Sequence, residues 1–131
     1  MTAEELIDRA FEITGDYRSS EDCTSGSVGA ALLTKSANVY TGICIDAACG
    51  LGFCAEHSAI AEMLKHKESE IAMIVAVNTQ KQAGPPCGRC RELIYQVNRA
   101  NLNTIVVIGN DKSILLKDLL PHRWQEVWGE G

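Results

Sequence analysis

The sequence predicts an α/β fold in which a mixed sheet carries helices on both of its faces. Two apolar runs, residues 71–77 and 104–108, are typical of strands that are covered on both sides. Two segments of helical length, residues 54–67 and 87–97, alternate with these runs. Because alternating helices and buried strands form layers, this order indicates a single α/β domain with a partly parallel sheet.

The elements outside this centre follow from local signals. Thr2, Ala3, Glu4 and Glu5 form a capping-box pattern, and a helix is expected from there to about Tyr17. The short apolar run 28–34 and the run 39–45 that follows it predict the two strands of a hairpin. In chain order we expect a loop over 18–27, strands over 28–34 and 39–45 joined by a turn at 35–38, loops over 46–53 and 78–86, a short strand over 114–116, and a mostly helical segment over 117–128 that Pro121 interrupts.

Length and charge exclude several classes of function. The 131 residues are expected to form one catalytic domain over 1–131, and the net charge is −5. A protein of this charge lacks the basic surface that a nucleic acid polymer requires, so we expect a small-molecule substrate. No segment is long enough to cross a membrane, and the acidic start lacks a signal-peptide core. Six cysteines without secretion features predict a reducing, cytoplasmic location.

Three cysteines and one glutamate form the pattern that indicates chemistry. Cys54 and the pair Cys87 and Cys90 open the two central helices, and Glu56 lies two residues after Cys54. Thiolates are good zinc ligands, and a catalytic zinc has three protein ligands and leaves its fourth position to water. The three cysteines are therefore the candidate ligands for Zn²⁺. Thiol pKa values fall at helix N-termini, which favours the ionised ligands.

Glu56 is the candidate catalytic residue. Zinc lowers the pKa of a bound water towards neutrality and so supplies hydroxide as a nucleophile. A carboxylate beside it can take the water proton and pass it to a ring nitrogen and then to the leaving amino group. A ligand-x-Glu segment followed by Pro-Cys-x-x-Cys is the signature of zinc deaminases.

Other interpretations of the cysteines remain open. Cys87 and Cys90 alone also fit a redox pair or half of a structural zinc site. Cys44 or Cys49 would complete a structural site of four cysteines. Neither alternative explains Glu56, because a structural or redox site needs no carboxylate there.

The chain resembles the cytidine deaminase family in its small homotetrameric form. The resemblance extends over nearly the whole chain. It implies a three-layer α/β/α fold with a mixed five-stranded sheet, hydrolytic deamination of a cytosine nucleoside in pyrimidine salvage, and active sites that neighbouring subunits complete. The segments that carry it are 28–34, 41–42, 54–56, 86–92 and 119–121.

The chain departs from the family pattern around the expected substrate. The family usually has Asn-x-Glu on the second hairpin strand to hold a sugar hydroxyl, and this chain has Cys44 and Asp46. Gly26 stands where the family usually has an aromatic residue, although Ala55 keeps its place beside the glutamate. These four positions are the candidate substrate-binding residues on the main body of the chain.

The charge around the metal differs as well. The family usually has arginine after the catalytic glutamate, and this chain has His57 there. Because three thiolates and Zn²⁺ sum to −1, a neighbouring cation would stabilise the site. We expect Arg89 to supply that charge, with His57 as a packing residue or as a partner of a ligand, not as a fourth ligand that would displace the water.

Several of these departures also resemble blasticidin S deaminase, a relative that acts on a cytosine-containing antibiotic. The resemblance implies that an aromatic residue near the C-terminus can reach a base in an adjoining subunit. Trp124 occupies the matching place, and Trp128 is a further candidate; packing is the alternative role for both. An antibiotic or modified-nucleoside deaminase is thus an alternative function. A catalytically silent, zinc-stabilised binding protein is another.

Overall fold

The computed structural model describes residues 1–129 and places one layer of helix on each side of a sheet. The last two residues of the predicted domain lie outside this range. The helices are α1 (Ala3–Glu12), α2 (Ala55–Lys65), α3 (Gly88–Val97), α4 (Leu116–Leu119) and α5 (Gln125–Trp128). The strands are β1 (Tyr17–Ser20), β2 (Cys23–Thr34), β3 (Val39–Ala47), β4 (Ile71–Asn78), β5 (Ala83–Gly84), β6 (Ile105–Gly109) and β7 (Lys112–Leu115).

The sheet is mixed, as the sequence predicted. Its strands follow the order β1-β2-β4-β6-β7, with β3 also paired to β2 and β5 to β4. Only β4 and β6 pair in parallel among the described strands, and α3 provides the crossover between them. A parallel pair needs a crossover connection of this kind.

Two apolar clusters confirm the three layers. On one face, α1 packs on the sheet through Leu6, Ile7 and Ala10. On the other face, α2 and α3 pack through a larger set of buried side chains. Neighbouring strand residues such as Ile74 and Val75 belong to opposite clusters, as the two-residue period of a strand requires.

The expectation of five strands is wrong, because the described sheet has seven. Both additional strands lie in segments that we expected to be loops. All four residues of β1 are exposed, so this strand has no apolar pattern, and β5 has only two residues. Pairing with a longer neighbour, not local hydrophobicity, forms both strands.

The ends of the first and last helical segments also differ from the expectation. The first helix stops at Glu12, before Gly15 turns the chain into β1, and does not reach Tyr17. The segment 117–128 contains two short helices, which are separated around Pro121. Proline lacks the N–H that a continuous helix would need there. No helix within residues 1–129 is long and apolar enough to cross a membrane.

Candidate active site and metal centre

The starts of α2 and α3 bring the predicted ligands together. Cys54 is the N-cap of α2 and Cys87 is the N-cap of α3, and both have extended backbone angles. Neither side chain caps its own helix, so both sulfurs are available to another partner. Cys90 lies in the first turn of α3 and is fully buried.

The sulfur separations fit a single zinc ion. Cys54 Sγ lies 3.5 Å from Cys87 Sγ, which lies 3.3 Å from Cys90 Sγ. Two thiolates on a tetrahedral zinc, each about 2.3 Å from the metal, are about 3.8 Å apart. The ligand atoms of Cys54, Cys90 and His57 also lie within 4.8 Å of one another. Soft sulfur donors at these separations are the donor set that zinc prefers.

The surroundings act differently on the three thiols. Burial, followed by the hydrogen bond with Cys87, raises the pKa of Cys54. Burial also raises the pKa of Cys90 strongly, and the neighbouring charge of Glu56 adds to this. At Cys87 burial acts in the same direction, but hydrogen bonds from the backbone and thiol of Cys90 and from Cys54 outweigh it and lower the pKa. Cys87 is therefore the thiol that ionises most readily from the protein groups alone.

His57 lies beside the sulfur of Cys90. Its Nδ1 is 3.5 Å from Cys90 Sγ, so the ring can share a proton with that sulfur. Burial, and then the charge of Arg89, lowers the pKa of His57 and favours the neutral ring. Arg89 is exposed and lines the adjacent cavity, and within residues 1–129 its guanidinium has no recorded hydrogen bond or ion pair.

Glu56 is the second residue of α2 and is only 6% exposed. Burial raises the pKa of its carboxyl group, which no lysine or arginine pairs with among the described residues. A buried carboxyl group with a raised pKa is suited to take up and release protons near neutral pH. Glu56 shares a cavity with Cys54 and Cys87.

This cavity has a volume of about 680 Å³, within the range of roughly 300–1,000 Å³ that is usual for small-molecule sites. Glu56, Cys54 and Cys87 form one part of its wall, and β2, β3, β4 and the loops before α2 and α3 form the rest. Its side chains come from Ser27, Val28, Cys44, Ile45, Asp46, Ala47, Phe53, Cys54, Ala55, Glu56, Ala76, Val77, Asn78, Gln82, Pro85, Cys87 and Arg89.

Three of the four substrate-binding candidates on the main body of the chain line this cavity, namely Cys44, Asp46 and Ala55. Gly26 does not. Its φ is +86°, and a Cβ there would lie 2.1 Å from the Gly15 carbonyl oxygen, so the backbone excludes any larger residue. The close contact between Gly15 and Gly26 therefore accounts for this glycine without a substrate.

Cys44 is engaged by a bulge in β2. The pairing of β2 with β3 shifts between Ser25 and Gly29. Cys44 Sγ accepts a hydrogen bond from the Val28 N–H at 3.4 Å and lies 3.2 Å from Ser27 Oγ. The thiol is 7% exposed and 3.9 Å from Asp46 Oδ2. The thiol of Cys44 is thus occupied by polar groups of the bulge, while Asp46 stays exposed at the cavity.

The C-terminal tryptophans lie outside the cavity of their own chain. Trp124 Nε1 donates to Glu92 Oε2 at 3.2 Å, and its ring centroid lies 6.2 Å from that of Trp128. Trp128 is 80% exposed. The structure of one chain leaves their contact with a neighbouring subunit as a prediction.

Comparison with known proteins agrees with this geometry. Residues 2–107 match the family model of the cytidine and deoxycytidylate deaminase zinc-binding region. The chain belongs to this deaminase family. A cytidine deaminase of Halalkalibacterium halodurans is 35% identical over 99 residues, which cover 72% of this chain and 74% of that protein. Membership makes the chain a zinc-dependent hydrolytic deaminase, as the sequence predicted.

Solved structures of cytidine deaminases share the fold. The enzyme from Burkholderia pseudomallei has a TM-score of 0.73 at 29% identity, covering 95% of this chain and all of that chain. The enzyme from Mycobacterium leprae has a TM-score of 0.78 at 22% identity, covering 93% and 99%. The deaminase fold is thus retained although most of the sequence differs.

The sequence did not indicate several residues of this deaminase site. Asn78, at the end of β4, and Gln82, in the loop that follows, line the cavity, and Asn78 Oδ1 accepts a hydrogen bond from the Gln82 N–H at 3.0 Å. Ser27 lines the cavity from the bulge in β2. Asn and Gly residues in these segments predict that the chain turns there. They do not predict which part of the molecule the turn faces.

Proposed function

We propose that this protein deaminates a cytosine nucleoside, of the cytidine or 2′-deoxycytidine class, to the uracil nucleoside and ammonia. The observation that carries the proposal is the buried Glu56 beside three clustered sulfurs in a cavity of small-molecule size. A binding or structural zinc protein has no use for a buried carboxyl group at this position, which argues against a catalytically silent protein.

Cys54, Cys87 and Cys90 are the proposed ligands of Zn²⁺, because all three sulfurs lie within one coordination sphere of each other. When bound, the metal supplies a Lewis acid that makes water acidic near neutral pH. His57 is proposed to contact the Cys90 sulfur without binding the metal, which leaves one position open. Arg89 is proposed to offset the negative charge of the thiolates from the cavity wall.

Glu56 is proposed to carry the protons of the reaction. Its carboxylate takes a proton from water and delivers it to N3 of the cytosine, which makes C4 electrophilic, and the oxygen of that water forms a bond to C4. The carboxylate then moves the proton of the new C4 hydroxyl group to the exocyclic nitrogen, so the C4–N bond breaks, ammonia leaves and the C4 carbonyl forms. The raised pKa that burial gives to this carboxyl group suits both directions of transfer.

The start of α2 is proposed to orient the base. Ala55 is the first residue of this helix, so its N–H has no acceptor within the helix. Ala55 lines the cavity next to Glu56, and its N–H is proposed to donate to an acceptor on the pyrimidine ring. Asp46 is proposed to accept a hydrogen bond from a hydroxyl group on the remainder of the substrate.

An antibiotic or modified nucleoside, as for blasticidin S deaminase, is the second candidate substrate. The contacts of Cys44 with Ser27 and Val28 favour this candidate. A thiol that is occupied in this way cannot replace the amide that holds a ribose hydroxyl group in the family. We further propose that the protein works in the cytoplasm as a homotetramer, in which Trp124 or Trp128 approaches a neighbouring site. Their exposure supports this proposal.

The first test is an ultraviolet deamination assay on the zinc-loaded protein with cytidine, deoxycytidine and blasticidin S. Glu56→Gln is expected to keep its zinc and to lower kcat by a factor on the order of 100 to 10,000, because only proton transfer is removed. Glu62→Gln is the matched control, since Glu62 is partly exposed on the same helix and pairs with Lys65 at 3.3 Å.

Each result of this assay selects among the functions. Turnover of cytidine or deoxycytidine supports the nucleoside deaminase, and turnover of blasticidin S alone supports the second candidate. Full activity in Glu56→Gln would refute the role of this carboxylate. A zinc-loaded wild-type protein that converts none of the three compounds would refute both candidate functions.

A further inference from the structure

Arg91 holds the backbone on both sides of Cys87. Its side-chain Nε donates to the Pro86 carbonyl oxygen at 2.9 Å. Its backbone N–H donates to the Cys87 carbonyl oxygen at 3.0 Å. One residue therefore fixes the two carbonyl groups that flank the Cα of Cys87, and these set the direction in which the thiol leaves the backbone.

Of the three proposed ligands, Cys87 depends most on such support. Cys90 is fully buried and sits within a helical turn, so its neighbours hold it from all sides. Cys87 is exposed and lies at the helix boundary, and its side chain makes no capping hydrogen bond. Packing therefore restrains its sulfur least, and the position of this sulfur depends on the hydrogen bonds of the Cys87 backbone as well as on its contacts with the other two sulfurs.

The guanidinium of Arg91 is itself held at a second point. Its Nη1 donates to the Leu119 carbonyl oxygen at 3.3 Å, at the end of α4, whose first residue Leu116 is fully buried. The next residue of α3, Glu92, accepts hydrogen bonds from the side chains of Trp124 and Gln125. The start of α3 is therefore joined to the C-terminal segment, residues 116–125, at several points.

We propose that Arg91 is a positioning residue of the metal centre, which retains zinc by fixing Cys87 against the C-terminal segment. Arg91 touches neither substrate nor metal in this arrangement. The effect of its side chain passes through the Pro86 carbonyl group to the backbone and sulfur of Cys87, because any residue at position 91 would keep the backbone bond to the Cys87 carbonyl oxygen. The inference rests on the proposed function only in taking Cys87 as a zinc ligand.

The test compares zinc release from zinc-loaded Arg91→Gln, Arg91→Lys and Arg123→Gln proteins with that from the wild type. Arg123 is the matched control, because its Nη1 donates to the Leu120 carbonyl oxygen at 2.8 Å in the same segment but not to Pro86 or Cys87. Release into a chromogenic chelator is followed at a temperature below all four melting transitions.

Arg91→Gln is expected to release zinc about tenfold faster or more, in line with the effect of removing groups that orient metal ligands. Arg91→Lys is expected to be intermediate, since a single ammonium group reaches fewer carbonyls, and it provides the comparison should the glutamine variant fail to fold. Arg123→Gln should release zinc at a rate within about twofold of the wild type. In cobalt-substituted protein, the thiolate charge-transfer band should change for the Arg91 variants alone.

Wild-type release rates in both Arg91 variants would overturn the inference. So would equally fast release from Arg123→Gln, because this would show a general loosening of the C-terminal segment. Failure of the proposed function has a different signature, namely a wild-type protein that holds zinc and does not deaminate. The release rates remain interpretable in that case.

Discussion

Tyr40 and Glu68 show how one hydrogen bond ties two elements together away from the active site. Tyr40 OH donates to Glu68 Oε2 at 2.6 Å, and Asn38 Nδ2 donates to the same oxygen at 2.8 Å. The link joins the start of β3 to the segment after α2. It also raises the pKa of Tyr40 and lowers the pKa of Glu68, because the hydrogen bond favours the neutral phenol and the ionised carboxylate.

This link predicts a late titration of Tyr40. The hydrogen bond to Glu68, with a contribution from burial, raises the pKa of Tyr40 from 10.0 to about 12. The folded chain then binds this proton more tightly than the unfolded chain, so the link stabilises the fold below about pH 10 and the contribution is lost as the pH rises towards 12. NMR of ¹³C-labelled tyrosine, with Tyr40→Phe for assignment, measures the midpoint.

Glu68→Gln is the informative variant for this titration. Without the carboxylate, the Tyr40 midpoint should fall back towards 10, since the largest cause of the shift is gone. An unchanged midpoint in Glu68→Gln would show that burial, and not the hydrogen bond, sets the value.

At the scale of elements, the approach of α2 to β3 determines where the site residues sit. Gly42 of β3 faces the first half of α2, and a Cβ at this position would lie 2.4 Å from the Ala59 nitrogen and 2.5 Å from Ser58 Cβ. Backbone atoms of a helix cannot yield as a flexible side chain can. The absence of a side chain at Gly42 therefore lets the helix that carries Cys54 and Glu56 lie close to the sheet.

Gly42→Ala is expected to lower the free energy of unfolding by about 1–3 kcal/mol, as overpacking in a core usually does. Gly109→Ala is the matched control in β6, because a Cβ there meets only Lys112 Cβ at an ordinary 3.7 Å. Urea denaturation of both variants measures the difference. Equal stability of the two proteins would show that α2 shifts away from the strand at little cost.

An element could be predicted from the sequence where its own residues carry the pattern, and not where it forms by pairing with a remote strand. Residues 71–77 were expected as a strand and form β4 with one further residue, because their apolar pattern is local. The exposed β1 has no such pattern and forms only through pairing, for example of Tyr17 with Ser25. The same division holds in the site.

The proposed ligands were found because metal ligands recur at short, fixed spacings, and the structure brings their sulfurs within 3.5 Å and 3.3 Å. Arg91 is also part of this segment, but its role depends on the Leu119 carbonyl oxygen, which is remote in sequence. Any residue can supply a carbonyl group, so no residue pattern marks such an acceptor. The contact of Cys44 with the bulge in β2 could not be predicted for the same reason, because its donor is the backbone N–H of Val28.

At the scale of the whole molecule, zinc would connect the starts of two helices that are separated by β4 and β5. Cys54 belongs to α2, whereas Cys87 and Cys90 belong to α3. An ion that binds all three sulfurs closes this part of the chain, and its binding adds directly to the stability of the folded state. Free zinc at a thousand times its dissociation constant would contribute about 4 kcal/mol.

Removal of zinc with a chelator is therefore expected to lower the Tm by an amount on the order of 10 °C for a domain of this size. Readdition of the metal should restore it, and Cys87→Ala should melt at the lower temperature with or without zinc. Cys23→Ala is the matched control, since Cys23 lies outside the metal centre and, within residues 1–129, its thiol makes a hydrogen bond to the Thr24 carbonyl oxygen alone, at 4.0 Å. Calorimetry with atomic absorption gives Tm and zinc content together. A Cys87→Ala protein that keeps its zinc and its Tm would contradict the ligand set, because the metal would then be held by other groups.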